Sequence, residues 1–435
     1  MFFKIYSFGC KVNQYESEFI KQIMCADGYY YTDTDCNADI FIVNSCSVTA
    51  VSDSKCRKLL RKLRRENPAS VILLCGCMSQ AFPRKYENFE MCDIVTGNTT
   101  RAQIPQYIKE FLTNREQIVD VTDHDRKNEG FEPCVVSDFS ERTRAFVKIE
   151  DGCDRFCSYC IIPYARGRVR SKPLDELSHE VSLLAENGYK EIVLVGINLS
   201  KYGTDIGLTL SDAVECVAEH DGICRIRLGS LEPELLDDDT IRRLSAVDKF
   251  CPQFHLSLQS GCTETLKRMN RRYSSSEYAE IVDRIRSNFD NPSITTDVMV
   301  GFPGETEEEF KASLDFVTRI GFAKVHVFPY SRRSGTVADR MPDQISRSVK
   351  EQRARLMTEA NELKRIEFMK SQIGAVCEVL FERADSNGMF EGYSKNYIPV
   401  YVNTNGIDIS GECRKVLLTA VDGERCAGEL LNDGF

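Results

Sequence analysis

The chain has 435 residues, 42% of them hydrophobic and 28% charged, with a formal net charge of −10; that balance places it among soluble globular chains of two to four domains and excludes a largely disordered one. Its longest uninterrupted apolar run, residues 71–75, is too short for a membrane helix, and the opening MFFKIYSFGC reads as no export signal, so a cytoplasmic location without a membrane partner is expected. Nineteen cysteines, an odd number, then read in part as metal or redox ligands, not as a disulfide framework, and the acidic balance confines any nucleic-acid contact to local patches.

Residues 1–122 alternate strand and helix, with strands predicted at 2–8, 39–43, 71–74 and 93–95 and helices between them, including 52–65. That alternation predicts βαβ units around a parallel sheet, an N-terminal α/β domain. Residues 123–140, polar with Gly and Pro, read as a linker. A second β/α series follows, with strands predicted at 145–150, 191–195, 225–228, 254–258, 295–300 and 324–328 and helices such as 174–187 and 305–320. Six units are too few for a complete eightfold barrel, so residues 141–370 are expected to form an open, partial (β/α)6 barrel that ends in a charged helix over 346–372. After Gly374, short alternating strands at 375–382, 389–393, 399–402, 415–420 and 426–430 predict a small antiparallel β-barrel over 371–435.

Two cysteine constellations stand out. Cys153-Asp-Arg-Phe-Cys157-Ser-Tyr-Cys160 follows the first strand of the partial barrel, at the end where β/α barrels build active sites. Three closely spaced thiolates can hold three irons of a [4Fe–4S] cluster and leave the fourth open. A zinc knuckle needs a fourth ligand that no nearby His or Cys supplies, and a closed ferredoxin-type cluster needs a remote cysteine. Cys10, Cys46 and Cys77 lie 36 and 31 residues apart, each just after a predicted strand. In a parallel sheet those strand ends lie side by side, on the edge where open α/β sheets bind ligands, so topology alone can gather the three. Read from the residues alone they are equally ordinary core cysteines. Cys75, inside a strand, is expected to face the packing side, and Cys56 lies on a helix. The five histidines are scattered and support no acid–base site.

The CxxxCxxC motif on a partial barrel resembles the radical S-adenosylmethionine superfamily. Ser7-Phe8-Gly9-Cys10-Lys11-Val12-Asn13-Gln14-Tyr15-Glu16-Ser17, Asn44-Ser45-Cys46-Ser47-Val48-Thr49 and Gly76-Cys77-Met78-Ser79-Gln80 extend the resemblance over essentially the whole chain, to the methylthiotransferases. That family combines a three-cysteine N-terminal domain, a radical barrel and a C-terminal RNA-binding barrel of the TRAM type. The resemblance implies two [4Fe–4S] clusters. One rests on Cys153, Cys157 and Cys160, its open iron chelating the amino and carboxylate groups of S-adenosyl-L-methionine; an auxiliary one rests on Cys10, Cys46 and Cys77 and carries the sulfur. These six cysteines are the expected catalytic residues, and the other thirteen are expected to be small buried hydrophobes. Cofactor contacts are implied at strand ends: Gly196 and Asn198 near the methionine amino group, Ser230, Ser257 and Gln259 with the ribose contacts expected at the latter two, and Tyr159 and Phe328 near the adenine.

Branches of this family act on isopentenyladenosine or threonylcarbamoyladenosine at tRNA position 37, or on an aspartate of a ribosomal protein. The segment GCKVNQYESE and the stretch from Phe146 to Gly167 most resemble the threonylcarbamoyladenosine branch. The implied reaction turns adenine C2–H into C2–S–CH3. Its implied partners are the tRNA anticodon stem-loop and an electron donor such as a flavodoxin or ferredoxin, with an external sulfur donor that the sequence does not name. The alternatives are the isopentenyladenosine reaction and a non-catalytic iron–sulfur protein that only binds RNA.

Cationic runs are the expected RNA face: Lys55, Arg57, Lys58, Arg61, Lys62, Arg64 and Arg65 on one helix; Arg166, Arg168, Arg170 and Lys172; Lys267, Arg268, Arg271 and Arg272; Arg332 and Arg333. The last 66 residues carry only 6 Lys/Arg against 10 Asp/Glu, so the C-terminal barrel is expected to grip RNA by shape and by Tyr393, Tyr397 and Tyr401.

Overall fold

The computed structural model describes residues 1–47, 50–82, 90–124, 130–139 and 143–431. Its first unit is a six-stranded parallel sheet, built from β1 (Phe2–Ser7), β2 (Tyr30–Tyr31), β3 (Ile40–Ser45), β4 (Val71–Gly76), β5 (Ile94–Thr96) and β6 (Ile118–Asp120) in the order β2-β1-β3-β4-β5-β6. Four helices alternate with them: α1 (Lys11–Ala26), α2 (Ala50–Glu66), α3 (Cys77–Ala81) and α4 (Ile104–Asn114). β3 and β4 are apolar on both faces because both faces are covered. Ile40, Ile42, Val71 and Leu73 meet Ile20 and Met24 of α1 and Ile108 of α4. Phe41, Val43, Ile72 and Leu74 meet Cys56, Leu60 and Leu63 of α2. The chain leaves β1 to one side for β2 and returns to the other side for β3, so the order of the sheet reverses between β1 and β3. Ligands of open α/β sheets bind at such a reversal.

The stretch read as a linker is not loose where the structure describes it. Cys134, Val136 and Phe139 are buried in the largest core, and the Tyr15 hydroxyl donates to the Cys134 carbonyl at 2.9 Å.

The second unit contains β7 (Arg144–Lys148), a two-residue antiparallel ribbon of β8 (Glu150–Asp151) and β9 (Arg170–Ser171), then β10 (Glu191–Val195), β11 (Arg225–Leu228), β12 (Ser230–Leu231), β13 (Gln253–Leu256), β14 (Ser293–Val300) and β15 (Lys324–Pro329). β11 and β12 are one strand that breaks at Gly229: its first half pairs with β10 and its second with β13. The result is the expected six-stranded parallel wall, β7-β10-β11/β12-β13-β14-β15, with β7 and β15 as its two edges. A short helix, α5 (Ile162–Arg166), follows the CxxxCxxC loop.

A 25-residue helix, Arg347–Ser371, packs along β15 and leads to a closed barrel of β16 (Val376–Ala384), β17 (Met389–Ser394), β18 (Pro399–Asn403), β19 (Cys413–Asp422) and β20 (Arg425–Leu430). Tyr393 and Tyr397 stack at 4.6 Å and take Arg144 and Arg227 of the central unit on their ring faces. They stand at the junction between the two barrels. Tyr401 donates to Asp422 and lies under Arg425.

Candidate active site between two cysteine trios

Register brings the first trio together. Ser7 pairs with Asn44, and Ser45 with Gly76, so β1, β3 and β4 end level and Cys10, Cys46 and Cys77 follow on one edge. Gly9, at φ +107°, lays the Cys10 loop against Cys46: a Cβ there would sit 2.5 Å from the Cys46 sulfur. Cys77 opens α3 and is buried; its sulfur accepts from Arg166 Nε at 3.2 Å and from Asn98 Nδ2 at 3.8 Å. Cys10 opens to a cavity, and its thiol donates to Asn13 Oδ1 at 3.3 Å. Enclosure pushes that thiol's pKa up, Arg166 pulls it back, and the nearby Cys77 raises it again. Cys75 faces the packing side, as expected.

Arg166 comes from the other unit, at the end of α5, which packs on α3. Its side chain is fully buried, and it also binds Glu16 of α1 and Asp151 of β8. Arg101 reaches Glu16 at 2.7 Å and Lys148 reaches it at 3.1 Å. Burial alone would raise the pKa of Glu16; Arg101, Arg166 and Lys148 overcome it and hold the carboxyl at about 2. This buried charge cluster fastens the two trios to one frame.

The second trio surrounds the loop after β8. Cys157 is buried, Cys153 and Cys160 half-buried. Burial, with the Cys157 thiol close by, pushes Cys153 and Cys160 up to about 12. Metal-free, both are thiols; ligation would have to remove their protons. Arg271 donates to the Cys157 sulfur at 3.4 Å and is paired with Glu232 at 2.6 Å. Among the described residues no three His, Cys, Asp or Glu side chains converge on a single-ion site. Each donor set is three thiols from one edge or loop, the donor chemistry of iron–sulfur ligation.

Strand ends supply the rest. A Cβ on Gly196 would lie 2.6 Å from Glu150 Oε2, the oxygen that accepts from the Asn198 N–H at 2.6 Å. Asn198 Nδ2 reaches the Cys153 sulfur at 3.6 Å. Asn198 Oδ1 and Glu150 Oε1 are buried with no partner from the protein, and burial holds the Glu150 carboxyl far above its usual range. Asn198 Oδ1 and Glu150 Oε1, beside the Cys153 sulfur, fit an ammonium-bearing ligand next to a cluster; the charge of the ammonium would draw Glu150 back to the ionised, accepting form. Ser230 and Ser257 share a hydrogen bond at 3.1 Å. Gln259, at φ +65°, bonds β14 through its own backbone, at Asp297 O and Met299 N. The Tyr159 ring packs edge-on against Phe302. Gly196, Ser230 and Phe328 wall a cavity of about 790 Å³ together with Cys10; Tyr159, Asn198, Ser257, Gln259 and the other five cysteines of the two trios lie outside its lining. Sequence reading missed Glu150, whose signal is a carboxylate ending a buried strand just before the motif. It also missed that His255 of β13 and His326 of β15 meet over the intervening β14, ring centroids 5.8 Å apart, in this cavity.

Comparison with known proteins meets this geometry at both trios. Residues 147–317 match the radical SAM superfamily and residues 3–97 an uncharacterized protein family, UPF0004. The chain is 38% identical to the threonylcarbamoyladenosine tRNA methylthiotransferase MtaB of Thermotoga maritima, across 91% of this chain and 90% of that one. It is 37% identical to the Bacillus subtilis protein of the same name, across 91% and 89%. The tRNA-2-methylthio-N(6)-dimethylallyladenosine synthase of Thermoanaerobacter sp. is 34% identical across 99% and 93%. The chain belongs to the radical SAM tRNA methylthiotransferases. A solved radical S-adenosylmethionine methyltransferase, TsrM from Kitasatospora setae, shares the fold at a TM-score of 0.58 and 14% identity, over 78% of this chain and 76% of that one.

The surface of this methylthiotransferase corrects part of the expected RNA face and leaves Arg168 and Arg272 exposed. Arg166, Arg170, Lys172 and Arg333 are buried, and the Arg271 side chain is almost fully covered. Lys172 is paired with Glu180 and Arg333 with Asp53. Arg268 is paired with Glu309, Lys267 with Glu264 and Arg332 with Asp339. On α2, by contrast, Lys55, Lys58, Arg61, Lys62 and Arg65 are exposed, while Cys56, Leu60 and Leu63 face the core. Cys25, Cys36 and Cys224 are exposed too, so the remaining cysteines are not uniformly buried. Among the described residues no helix is long and apolar enough to cross a membrane.

Proposed function

We propose that this enzyme converts N6-threonylcarbamoyladenosine at position 37 of tRNA to its 2-methylthio derivative. In this reading Cys153, Cys157 and Cys160 hold one [4Fe–4S] cluster beside S-adenosyl-L-methionine, and Cys10, Cys46 and Cys77 hold the auxiliary one. The carrying observation is that Cys10 shares one cavity with Gly196, Ser230 and Phe328. Bound together, the clusters and S-adenosylmethionine would supply the radical, sulfur and methyl chemistry. The chain's own work is placement. Asn198 and Glu150 receive the methionine ammonium, and Ser230 and Ser257 line its flank. Arg271 and Arg166 each donate a hydrogen bond to a cysteine sulfur, that of Cys157 and that of Cys77. Position 37 lies in a loop, where extruding a base costs little, and the exposed face of α2 offers cations to the phosphates. The reading also places the enzyme in the cytoplasm, served by a flavodoxin- or ferredoxin-type electron donor and a separate source of sulfur.

Anaerobic reconstitution tests it. The protein should take up about eight irons, and about four when Cys10, Cys46 and Cys77 are all replaced by Ala. With S-adenosylmethionine, a reductant and sulfide, the intact enzyme should add a methylthio group to threonylcarbamoylated tRNA, read by nucleoside mass spectrometry. The same count of irons in the triple variant, or the product only on isopentenylated tRNA, would refute it.

A further inference from the structure

Lys11 directly follows Cys10, and both line the cavity. Its ammonium lies over the ring of Phe146 on one edge strand of the central wall, 5.9 Å from the centroid. The other edge strand presents Lys324, His326 and Phe328 to the same space. The cations around Lys11 are already matched: Arg144 bonds Glu382 at 2.8 Å, and Arg227 bonds Glu191 at 2.8 Å. Glu16, on the same helix, is taken by Arg101, Lys148 and Arg166. Among the described residues no carboxylate forms an ion pair with Lys11.

The adenine of the proposed substrate must turn C2 toward the sulfur-bearing side, which is the side of Cys10. C2 and C6 both flank N1 of the ring, so whatever is attached to N6 runs along the same edge of the base. It therefore passes the residue next to Cys10. In threonylcarbamoyladenosine that substituent ends in a carboxylate; in dimethylallyladenosine it is a hydrocarbon. We propose that Lys11 is a specificity-determining residue whose ammonium takes the carboxylate of the N6-threonylcarbamoyl group. The assignment rests on the substrate reading above. S-adenosylmethionine carries a carboxylate as well, and the test separates the two sources.

Full-length enzyme, reconstituted anaerobically, is titrated with two anticodon stem-loop RNAs of one sequence, N6-threonylcarbamoylated or unmodified at position 37, and separately with S-adenosylmethionine. Wild-type enzyme binds the modified RNA more tightly. Lys11→Gln reduces that preference about ten- to a hundredfold, the weight of one charge-assisted contact. It keeps its affinity for S-adenosylmethionine and its iron, and Lys11→Arg retains most of the preference. A Lys11→Gln enzyme with the full preference overturns the assignment and leaves the substrate reading intact. Lost affinity for S-adenosylmethionine, with the preference kept, gives the ammonium to the cofactor instead. A fall from about eight irons to about four makes Lys11 a prop for the Cys10 loop. If wild-type enzyme shows no preference, the substrate reading fails, and this inference with it.

Discussion

Gly9 decides whether Cys10 can lie against Cys46. Its φ of +107° is open to glycine and strained for other residues, and a Cβ would press on the Cys46 sulfur. Gly9→Ala should therefore spoil the first trio and spare the second. Iron should fall from about eight toward about four per chain, with the CxxxCxxC cluster still visible by electron paramagnetic resonance. Full iron in that variant would show that the loop tolerates a side chain and that the first trio is not built as described. The buried arginines are the residues that the sequence conceals. Arg166, Arg271 and Arg333 stand in runs that read as an RNA face, because charge is ordinarily solvated. Their carboxylate partners lie far off in the chain: Glu16 for Arg166, Glu232 for Arg271 and Asp53 for Arg333. No local pattern announces a pairing across 150 residues, the separation of Arg166 from Glu16.

Elements were more legible than side-chain partners. β3 and β4 are mainly apolar, which a doubly covered parallel strand requires, and the three cysteine turns follow directly from the ends of β1, β3 and β4. The break at Gly229 was not legible, since one apolar strand that divides between two neighbours has the pattern of a continuous strand. The buried stretch around Val136 was misread for a related reason: a few apolar residues amid polar ones carry no periodicity. α2 was legible in both halves of its character, an apolar face toward the sheet and a cationic face outward. Replacing Lys58, Arg61 and Lys62 together by Ala should leave stability within ~0.5 kcal/mol, since these side chains are exposed. It should weaken tRNA binding, and the slope of log affinity against log salt should drop by about 2 if all three meet phosphates. An unchanged slope would move the RNA path off this helix.

At the scale of the molecule, three sheets are joined by buried charge. The cluster on Glu16 ties the first sheet to the central wall. A second cluster, on Glu191, ties that wall to the C-terminal barrel. Arg225 and Arg227 both bond Glu191 at 2.8 Å, and their guanidiniums also donate to the carbonyls of Tyr393, Ser394 and Lys395. Burial alone would raise the pKa of Glu191; Arg227 and Arg225 overcome it and hold the carboxyl at about 2, against an ordinary 4.5. A depressed folded-state pKa contributes stability that is fully present above 4.5 and drains away as pH falls toward 2, on the order of 3 kcal/mol in all. Amide exchange at residues 393–395 should thus lose protection steeply across that window in the wild-type protein. Glu191→Gln should abolish the dependence on pH, and it should already lack the protection at neutral pH, because it leaves the arginines buried without a carboxylate at a cost of about 3–5 kcal/mol. Equal protection in the two proteins at neutral pH would mean that the stacked tyrosines, not the ion pairs, hold the barrel in place.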